Sequence, residues 1–150
     1  MANIQSISSS FKTELMNSFH SFGVSNTRGS SVADTFKAAL FLSSATLNAA
    51  TTAYSTTGEV IGTGYTAGGV IAASSAPALD GTTAHWTPAA NFSWTTVTLS
   101  TPFDAVQIYN SSQANRSVGV YTFGSQMVTA GNFTLTMPVD DGTTGLLRLE

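Results

Sequence analysis

The sequence predicts an all-β protein, a β-sandwich or jelly-roll-like barrel that follows an N-terminal arm and one amphipathic helix. From residue 34 onward, apolar and polar residues alternate in short runs, as in half-buried strands. These runs recur about every ten residues and are separated by Gly, Pro, Asn and Asp, which is typical of sandwiches and barrels. A helical spacing of apolar residues occurs near the N-terminus. We expect the arm and helix over residues 1–23 and the β-sandwich domain over residues 24–150.

The N-terminal region contains the predicted arm and helix. The first ten residues are polar and rich in Ser, whereas the apolar residues between Ser10 and Phe22 recur at spacings of four, four and three. This spacing places them on one face of a helix. The helix would either pack on the sheet of its own domain or dock into a neighbouring subunit. Its apolar face comprises Phe11, Leu15, Phe19 and Phe22, with Met16 beside Leu15.

The first predicted strand runs from Asp34 to Leu42, where the apolar period changes to two. Phe41 lies on the more polar of its two faces, which makes it a candidate contact with a second sheet or another subunit. The opposite face is apolar and comprises Phe36, Ala38, Leu40 and Leu42.

A loop region follows this strand. Residues 43–58 are mostly Ala, Ser, Thr and Asn, and Tyr54, their only aromatic residue, is expected to anchor them. The run from Gly62 to Gly69 contains four glycines, which suggest bulges or sharp bends. It lacks the Gly-Lys-Ser/Thr ending of a phosphate-binding loop, so we interpret it as a structural loop.

The second half of the chain predicts a series of short strands. The clearest alternation places Phe133, Leu135, Met137 and Val139 on one face. Residues 110–116 read as a hairpin loop. The predicted strands cover residues 83–87, 92–99, 105–110, 117–123, 133–139 and 146–149.

The titratable residues do not form a recognisable catalytic motif. A serine hydrolase of the α/β type would carry a Gly-x-Ser-x-Gly elbow, and the sequence has none. His20 lies in the predicted helix and His85 beside Trp86, which is more typical of packing or surface histidines. Asp140 and Asp141 precede a glycine and are best explained as turn residues. We therefore predict a protein that is not an enzyme and needs no cofactor or metal ion.

Trp86 and Trp94 allow two interpretations. If they were exposed on a sandwich, they would form a platform for sugar rings, and the protein could be a carbohydrate-binding module that contacts the host surface. If they were buried, they would belong to the core. The core interpretation is favoured, because large aromatic side chains dominate core packing.

Charged residues make up only 9% of the chain, and the formal net charge is −3. Soluble domains usually contain about 25% charged residues, so much of this surface is expected to contact other proteins. An extracellular β domain with a neutral polar surface is the alternative. The five Lys and Arg residues are scattered, which argues against binding to nucleic acid. No apolar run approaches the roughly 20 residues of a membrane span, so we expect no membrane partner.

Several segments resemble a family of small structural proteins of tailed bacteriophage particles. The resemblance lies in the strand DTFKAALF, the loop SSATLNAATTAYSTTGEV and the glycine run GTGYTAGG. It continues in AVQIYNSS and in the late YTFGS and GNFTLTMP segments, so it covers roughly the last three quarters of the chain.

This resemblance implies a non-enzymatic virion protein. We expect a capsid decoration or cement protein, a dimer or trimer that binds the major capsid protein or other virion proteins. A tail, neck or fibre-attachment protein is the alternative position in the particle. The expected contact residues are Phe11, Leu15, Met16, Phe19, Phe22 and Phe41.

Overall fold

The computed structural model describes residues 2–16, 19–23 and 33–150. It is an all-β protein in which two antiparallel sheets pack together, so the predicted β-sandwich is confirmed. The larger sheet has five strands in the order β1-β7-β6-β2-β3, and the smaller has three in the order β4-β5-β8. The strands are β1 (Ser6–Ile7), β2 (Phe36–Leu42), β3 (Val70–Ile71), β4 (Ala78–Asp80), β5 (Thr83–Trp86), β6 (Phe92–Asn110), β7 (Arg116–Leu135) and β8 (Leu147–Leu149).

The hairpin of β6 and β7 is the largest feature of the fold. The sequence predicted two pairs of short strands here, and that prediction is wrong, because each pair is joined into one strand of 19 or 20 residues. Pro102 lies within β6 and, having no N–H, cannot donate a hydrogen bond to the ladder. The ladder instead continues past it through register shifts between Leu99 and Phe103 and between Phe103 and Ala105. The predicted hairpin loop is confirmed as the turn between Asn110 and Arg116.

The core occupies both faces of β2. Phe36, Ala38 and Leu40 face the smaller sheet, where they join a large apolar cluster that includes Trp86 and Ile108. The alternation predicted for this strand is therefore confirmed on its apolar face. Ala39 and Phe41 face the other way, into a smaller cluster formed with residues of the 43–58 loop. The strand is buried on both faces because that loop folds back over it.

The N-terminal helix α1 covers Ser9–Met16 and is shorter than the predicted span from Ser10 to Phe22. Residues 19–23 are not helical. The reason is tertiary packing: the Phe22 ring lies 4.4 Å from the ring centroid of Phe36 and 4.8 Å from that of Trp86. These contacts override the helical spacing of the sequence. In the described part of the chain, no helix is long and apolar enough to cross a membrane.

Part of the predicted arm belongs to the sheet. Ser6 and Ile7 form β1, which pairs antiparallel with Val120 and Gly119 of β7. The Ile4 amide also donates to the Leu47 carbonyl at 2.8 Å. Residues 4–7 are therefore held on both sides by backbone hydrogen bonds.

Candidate functional site

The outer edge of β7 is the longest strand edge that lacks a partner in the described structure. On one side β7 pairs with β6 along most of its length. On the other side β1 covers only Gly119 and Val120, and the Gln5 side chain accepts a hydrogen bond from the Thr122 amide at 3.3 Å. Beyond this point, none of the described strands pairs with this outer side of β7 as far as Leu135. Its outward N–H and C=O groups are therefore accessible to another extended segment.

This strand edge is also uncharged. From Ser117 to Val139 the sequence contains no Asp, Glu, Lys, Arg or His. Natural edge strands are commonly protected by Lys or Pro, and β7 has neither within its bounds. It is bent by bulges, and Ala130 has a positive φ of 46°. Such bulges twist a strand edge and limit continuous pairing along it. We call residues 124–135 the β7 edge.

Few exposed apolar side chains lie on or near the β7 edge. Met127 is 63% exposed within it, and Val139 is 71% exposed just beyond the end of β7. Other large exposed apolar side chains are scattered over the sequence, and single ones are normal on a protein surface. Those others are Ile4, Phe19, Ile61, Ile71, Leu79 and Leu149.

The contact residues predicted from the sequence have different positions. Phe11 and Phe41 are buried in the two core clusters, so their side chains pack inside this chain. Leu15 and Phe22 are partly buried and pack against the larger cluster. Phe19 is 39% exposed, and the guanidinium carbon of Arg116 lies 4.3 Å from its ring centroid. The side chain of Met16 lies outside the described part of the structure. Contact of these residues with a partner stays a prediction.

A buried carboxylate that the sequence did not single out organises the loop region. Glu59 is only 4% exposed. It accepts hydrogen bonds from the Tyr54 hydroxyl at 2.6 Å, the Tyr65 hydroxyl at 2.8 Å and the Gly68 amide at 2.7 Å. A buried carboxylate needs such donors to offset the loss of its hydration. We call these four residues the Glu59 cluster. It confirms Tyr54 as an anchor of the 43–58 loop.

The phenols around Glu59 are held in the protonated, donating form. Burial, followed by the hydrogen bond to Glu59, raises the pKa of both Tyr54 and Tyr65 well above the ordinary value. Burial and the nearby Glu59 charge raise the pKa of Tyr109 to about 12. The Tyr109 hydroxyl donates to the Gly68 carbonyl at 2.8 Å. Tyr109 thus ties the glycine run to β6, the central strand of the larger sheet.

A second buried polar cluster joins the N-terminal segment to the hairpin turn. The Glu14 carboxylate accepts from the Arg116 guanidinium at 2.6 Å and lies 2.8 Å from His20 Nε2. Asn110 Nδ2 lies 3.1 Å from His20 Nδ1 and 2.7 Å from Asp34 Oδ2. We call these five residues the His20 cluster. The sequence missed it because its members are far apart along the chain.

His85 and the C-terminal aspartates are engaged in structure. His85 Nδ1 lies 2.9 Å from Asp140 Oδ1, and its Nε2 lies 3.4 Å from Asp80 Oδ2. Asp141 accepts from the Thr144 and Thr143 amides, which lower its pKa. The predicted turn is therefore confirmed. Within the described ranges, His, Asp and Glu do not form a group of three that could hold a metal ion.

The two tryptophans belong to the core. Trp86 is 3% and Trp94 is 4% exposed, and the indole of Trp86 donates to the Ser75 carbonyl at 3.1 Å. This burial confirms the core interpretation. It removes the exposed Trp platform that the carbohydrate-binding hypothesis requires.

Comparisons with known proteins do not identify a relative: the chain matches no family model, no curated protein and no solved structure.

Proposed function

We propose that this protein is a non-enzymatic structural component of a tailed-phage particle, and that it decorates and stabilises the assembled capsid through protein–protein contacts. The observation that carries the proposal is the uncharged, unpaired β7 edge. The low charge of the whole chain and the resemblance of several segments to virion proteins support it. The alternative position, in the tail or neck, requires the same self-association through the β7 edge and differs in the virion protein that the oligomer contacts.

The β7 edge fits a second copy of the chain. When two such edges pair antiparallel about a two-fold axis, each residue lies opposite a residue of the same strand. Like charges placed opposite each other destabilise a sheet, whereas Thr and Ser pairs stabilise it. The edge carries no charge and is rich in hydroxyl and amide side chains, such as Ser125, Gln126 and Thr129. We therefore propose a homo-oligomer built through this edge.

The burial of both histidines supports a structural role over a catalytic one. The His20 side chain is 0% exposed and that of His85 is 4% exposed. A general base must reach the proton that it abstracts. In this fold, the ring nitrogens face Glu14 and Asn110 in one case and Asp140 and Asp80 in the other.

A decoration protein stabilises the capsid by mass action. If it binds the assembled shell and not the separated subunits, the free energy needed to open the shell rises with its concentration and affinity. A gain of about 2.7 kcal/mol per site is expected when the free protein exceeds the dissociation constant a hundredfold.

An add-back experiment tests this function. Phage particles that lack the protein would be heated in the presence or absence of the purified chain, and release of DNA would be measured. We expect the wild-type protein to raise the temperature of DNA release. A variant with Met127→Lys and Thr129→Lys should restore less stability, because the charges oppose pairing at the β7 edge. Thr82→Lys, an exposed change in the turn between β4 and β5, is the matched control. Particles that are equally stable with and without the protein would contradict the proposal.

A further inference from the structure

The His20 ring is completely enclosed, and both of its nitrogens have partners. The side chain is 0% exposed. The Phe11, Phe22 and Phe36 rings surround it, with centroids 4.8, 6.2 and 6.2 Å away. Nε2 lies 2.8 Å from a carboxylate oxygen of Glu14, and Nδ1 lies 3.1 Å from the Asn110 side-chain nitrogen. The protonation state of the ring therefore depends on these two neighbours.

Asn110 fixes the role of Nδ1. Its amide nitrogen donates to Asp34 Oδ2 at 2.7 Å, and its oxygen accepts from the Ser112 amide at 3.1 Å. Rotation of the amide by 180° would place its oxygen against the Asp34 carboxylate and its N–H₂ against the Ser112 N–H. Both bonds would be lost, so the nitrogen must face His20. Nδ1 is then the acceptor, and Nε2 carries the ring proton that is donated to Glu14.

A second proton on the ring has no acceptor. Protonated imidazole donates from both nitrogens. The new Nδ1–H would point at the N–H₂ of Asn110, only 3.1 Å away, and the two donors would repel each other. Protonation therefore requires His20 and Asn110 to separate, or the Asn110 amide to rotate and lose its hydrogen bonds with Asp34 and Ser112.

The charged groups in the described structure around His20 come from three elements. Glu14 on α1 and Asp34 before β2 favour a protonated ring, while Arg116 on β7 opposes it. Burial outweighs both carboxylates and lowers the His20 pKa below its ordinary value of 6.5. The direction agrees with the hydrogen-bond pattern, in which the neutral ring satisfies every partner.

The His20 cluster lies where the N-terminal segment meets the sheet. Arg116 and Asn110 flank the hairpin turn, whereas Glu14 belongs to α1. Just beyond His20, the Phe22 ring stacks on Phe36 and contacts Trp86 edge to face. If the His20 cluster opens, α1 and residues 19–23 lose the polar contacts that hold them against the hairpin.

We infer that His20 is an acid-sensitive latch, which holds α1 and residues 19–23 on the sheet while its ring is neutral and releases them when the ring takes up a proton. The latch is independent of the proposed function, because it concerns contacts within one chain. Its consequence is conformational: acid uncovers apolar side chains, among them Phe36 and Trp86, that the segment covers at neutral pH.

The sign of the effect follows from linkage. The released segment binds a proton with the ordinary pKa of 6.5, whereas the docked segment binds one with a lower pKa. Docking is therefore fully stable above about pH 6.5 and weakens as the pH falls below that value. One proton is involved, so the docking equilibrium changes by at most about tenfold for each pH unit.

Hydrogen exchange of the intact protein tests the latch. Protection of the amides in residues 9–16 and 19–23 would be measured between about pH 7.5 and about pH 5, after correction for the intrinsic pH dependence of exchange. We expect protection in these residues to fall by up to about tenfold per pH unit below pH 6.5. Amides in the centre of β6 and β7 should keep their protection. Equal protection of the segment at both pH values, or a parallel loss throughout the sheet, would overturn the inference.

Two variants and one direct measurement complete the test. His20→Phe replaces the ring by a similar aromatic that cannot titrate, and it should abolish the pH dependence of the segment. His85→Gln removes the other histidine and should leave that dependence unchanged. If the pH-dependent loss of protection persists in His20→Phe, it arises from the carboxylates and the latch is refuted.

If His20→Phe does not fold, ¹⁵N spectra of the wild-type His20 ring test the latch instead. The neutral Nε2–H tautomer near pH 7 supports the latch, and a protonated ring or the Nδ1–H tautomer refutes it.

Discussion

The Tyr65 hydroxyl donates a hydrogen bond to Glu59 at 2.8 Å and accepts one from the Leu40 amide at 3.0 Å. One phenol thus connects the glycine run to strand β2 and to a buried carboxylate. Because Glu59 also accepts from Tyr54 and the Gly68 amide, a single side chain orients both parts of the long loop region. The loops between β2 and β3 are therefore an ordered layer over the sheet.

Removal of the Glu59 carboxylate should destabilise this layer. Glu59→Ala leaves two phenols and one amide without their acceptor, and each unsatisfied buried group costs about 1–3 kcal/mol. We expect the free energy of unfolding, measured by urea denaturation, to fall by at least about 3 kcal/mol. Glu59→Gln keeps one acceptor oxygen and should cost less. Glu150→Ala, an exposed carboxylate, serves as the control and should change little. Equal stability of Glu59→Ala and the wild type would show that the cluster is not needed.

We expect replacement of Gly69 by alanine to destabilise the fold, and replacement of Gly124 by alanine to be tolerated. Gly69 has a φ of +70°, and a Cβ there would overlap the Ala38 carbonyl oxygen. Gly69→Ala should therefore lower the free energy of unfolding by more than about 2 kcal/mol. A Cβ at Gly124 would meet nothing within 4 Å. Gly124→Ala is the matched control, and thermal unfolding of the two variants gives the comparison. A similar melting temperature for both would contradict the close approach of the glycine run to β2.

The tyrosines make the protein sensitive to alkaline pH. Burial raises the pKa of all four tyrosines, Tyr54, Tyr65, Tyr109 and Tyr121. In the unfolded chain they ionise near the ordinary value of 10.0. The folded state then binds more protons, so the stability that these groups contribute is present below pH 10 and is lost as the pH rises above it.

Tyrosinate absorbance near 295 nm measures the ionisation of these four tyrosines directly. We expect little phenolate at about pH 10.5 while the circular dichroism remains native, and a cooperative rise of absorbance when the protein unfolds. Smooth ionisation with a midpoint near the ordinary pKa in the folded protein would show that the phenols are accessible.

Charges on the β7 edge should abolish self-association. Met127→Lys with Thr129→Lys places like charges opposite each other when two edges pair with the two-fold axis near Val128. We expect light scattering to report an oligomer for the wild type and a monomer for this variant, with no change in melting temperature of the isolated chain. Thr82→Lys adds a charge away from the edge and should remain oligomeric. A variant that associates as strongly as the wild type would place the interface elsewhere.

The sequence predicted a strand well where the alternation of neighbouring apolar and polar residues determines which side chains are buried. The alternation of Phe36, Ala38 and Leu40 specifies a buried face, because successive side chains in a strand point to opposite sides. The sequence prediction left residues 100–104 outside the strands, yet β6 continues through Pro102, because register shifts first on β6 and then on β7 accommodate it. Phe19 and Phe22 carry a helical spacing, yet the stack of Phe22 on Phe36 decides the path of the chain.

The polar clusters could be predicted only in part. Tyr54, Glu59 and Tyr65 lie within twelve residues of one another, and an isolated carboxylate between two tyrosines is a signal that could have found the Glu59 cluster. The His20 cluster gives no such local signal. Glu14, Asn110 and Arg116 meet only because α1 packs against the end of the hairpin. The β7 edge shows in the sequence as a long uncharged stretch, but its lack of a partner strand depends on the topology.

Copy number in the purified particle tests the proposed role most directly. Quantitative mass spectrometry would compare peptides of this chain with those of the major capsid protein. We expect a copy number close to that of the shell protein, as a decoration protein that covers the capsid requires. A copy number that matches a single ring would place the protein in the tail or neck, and its absence from purified particles would contradict a structural role in the virion.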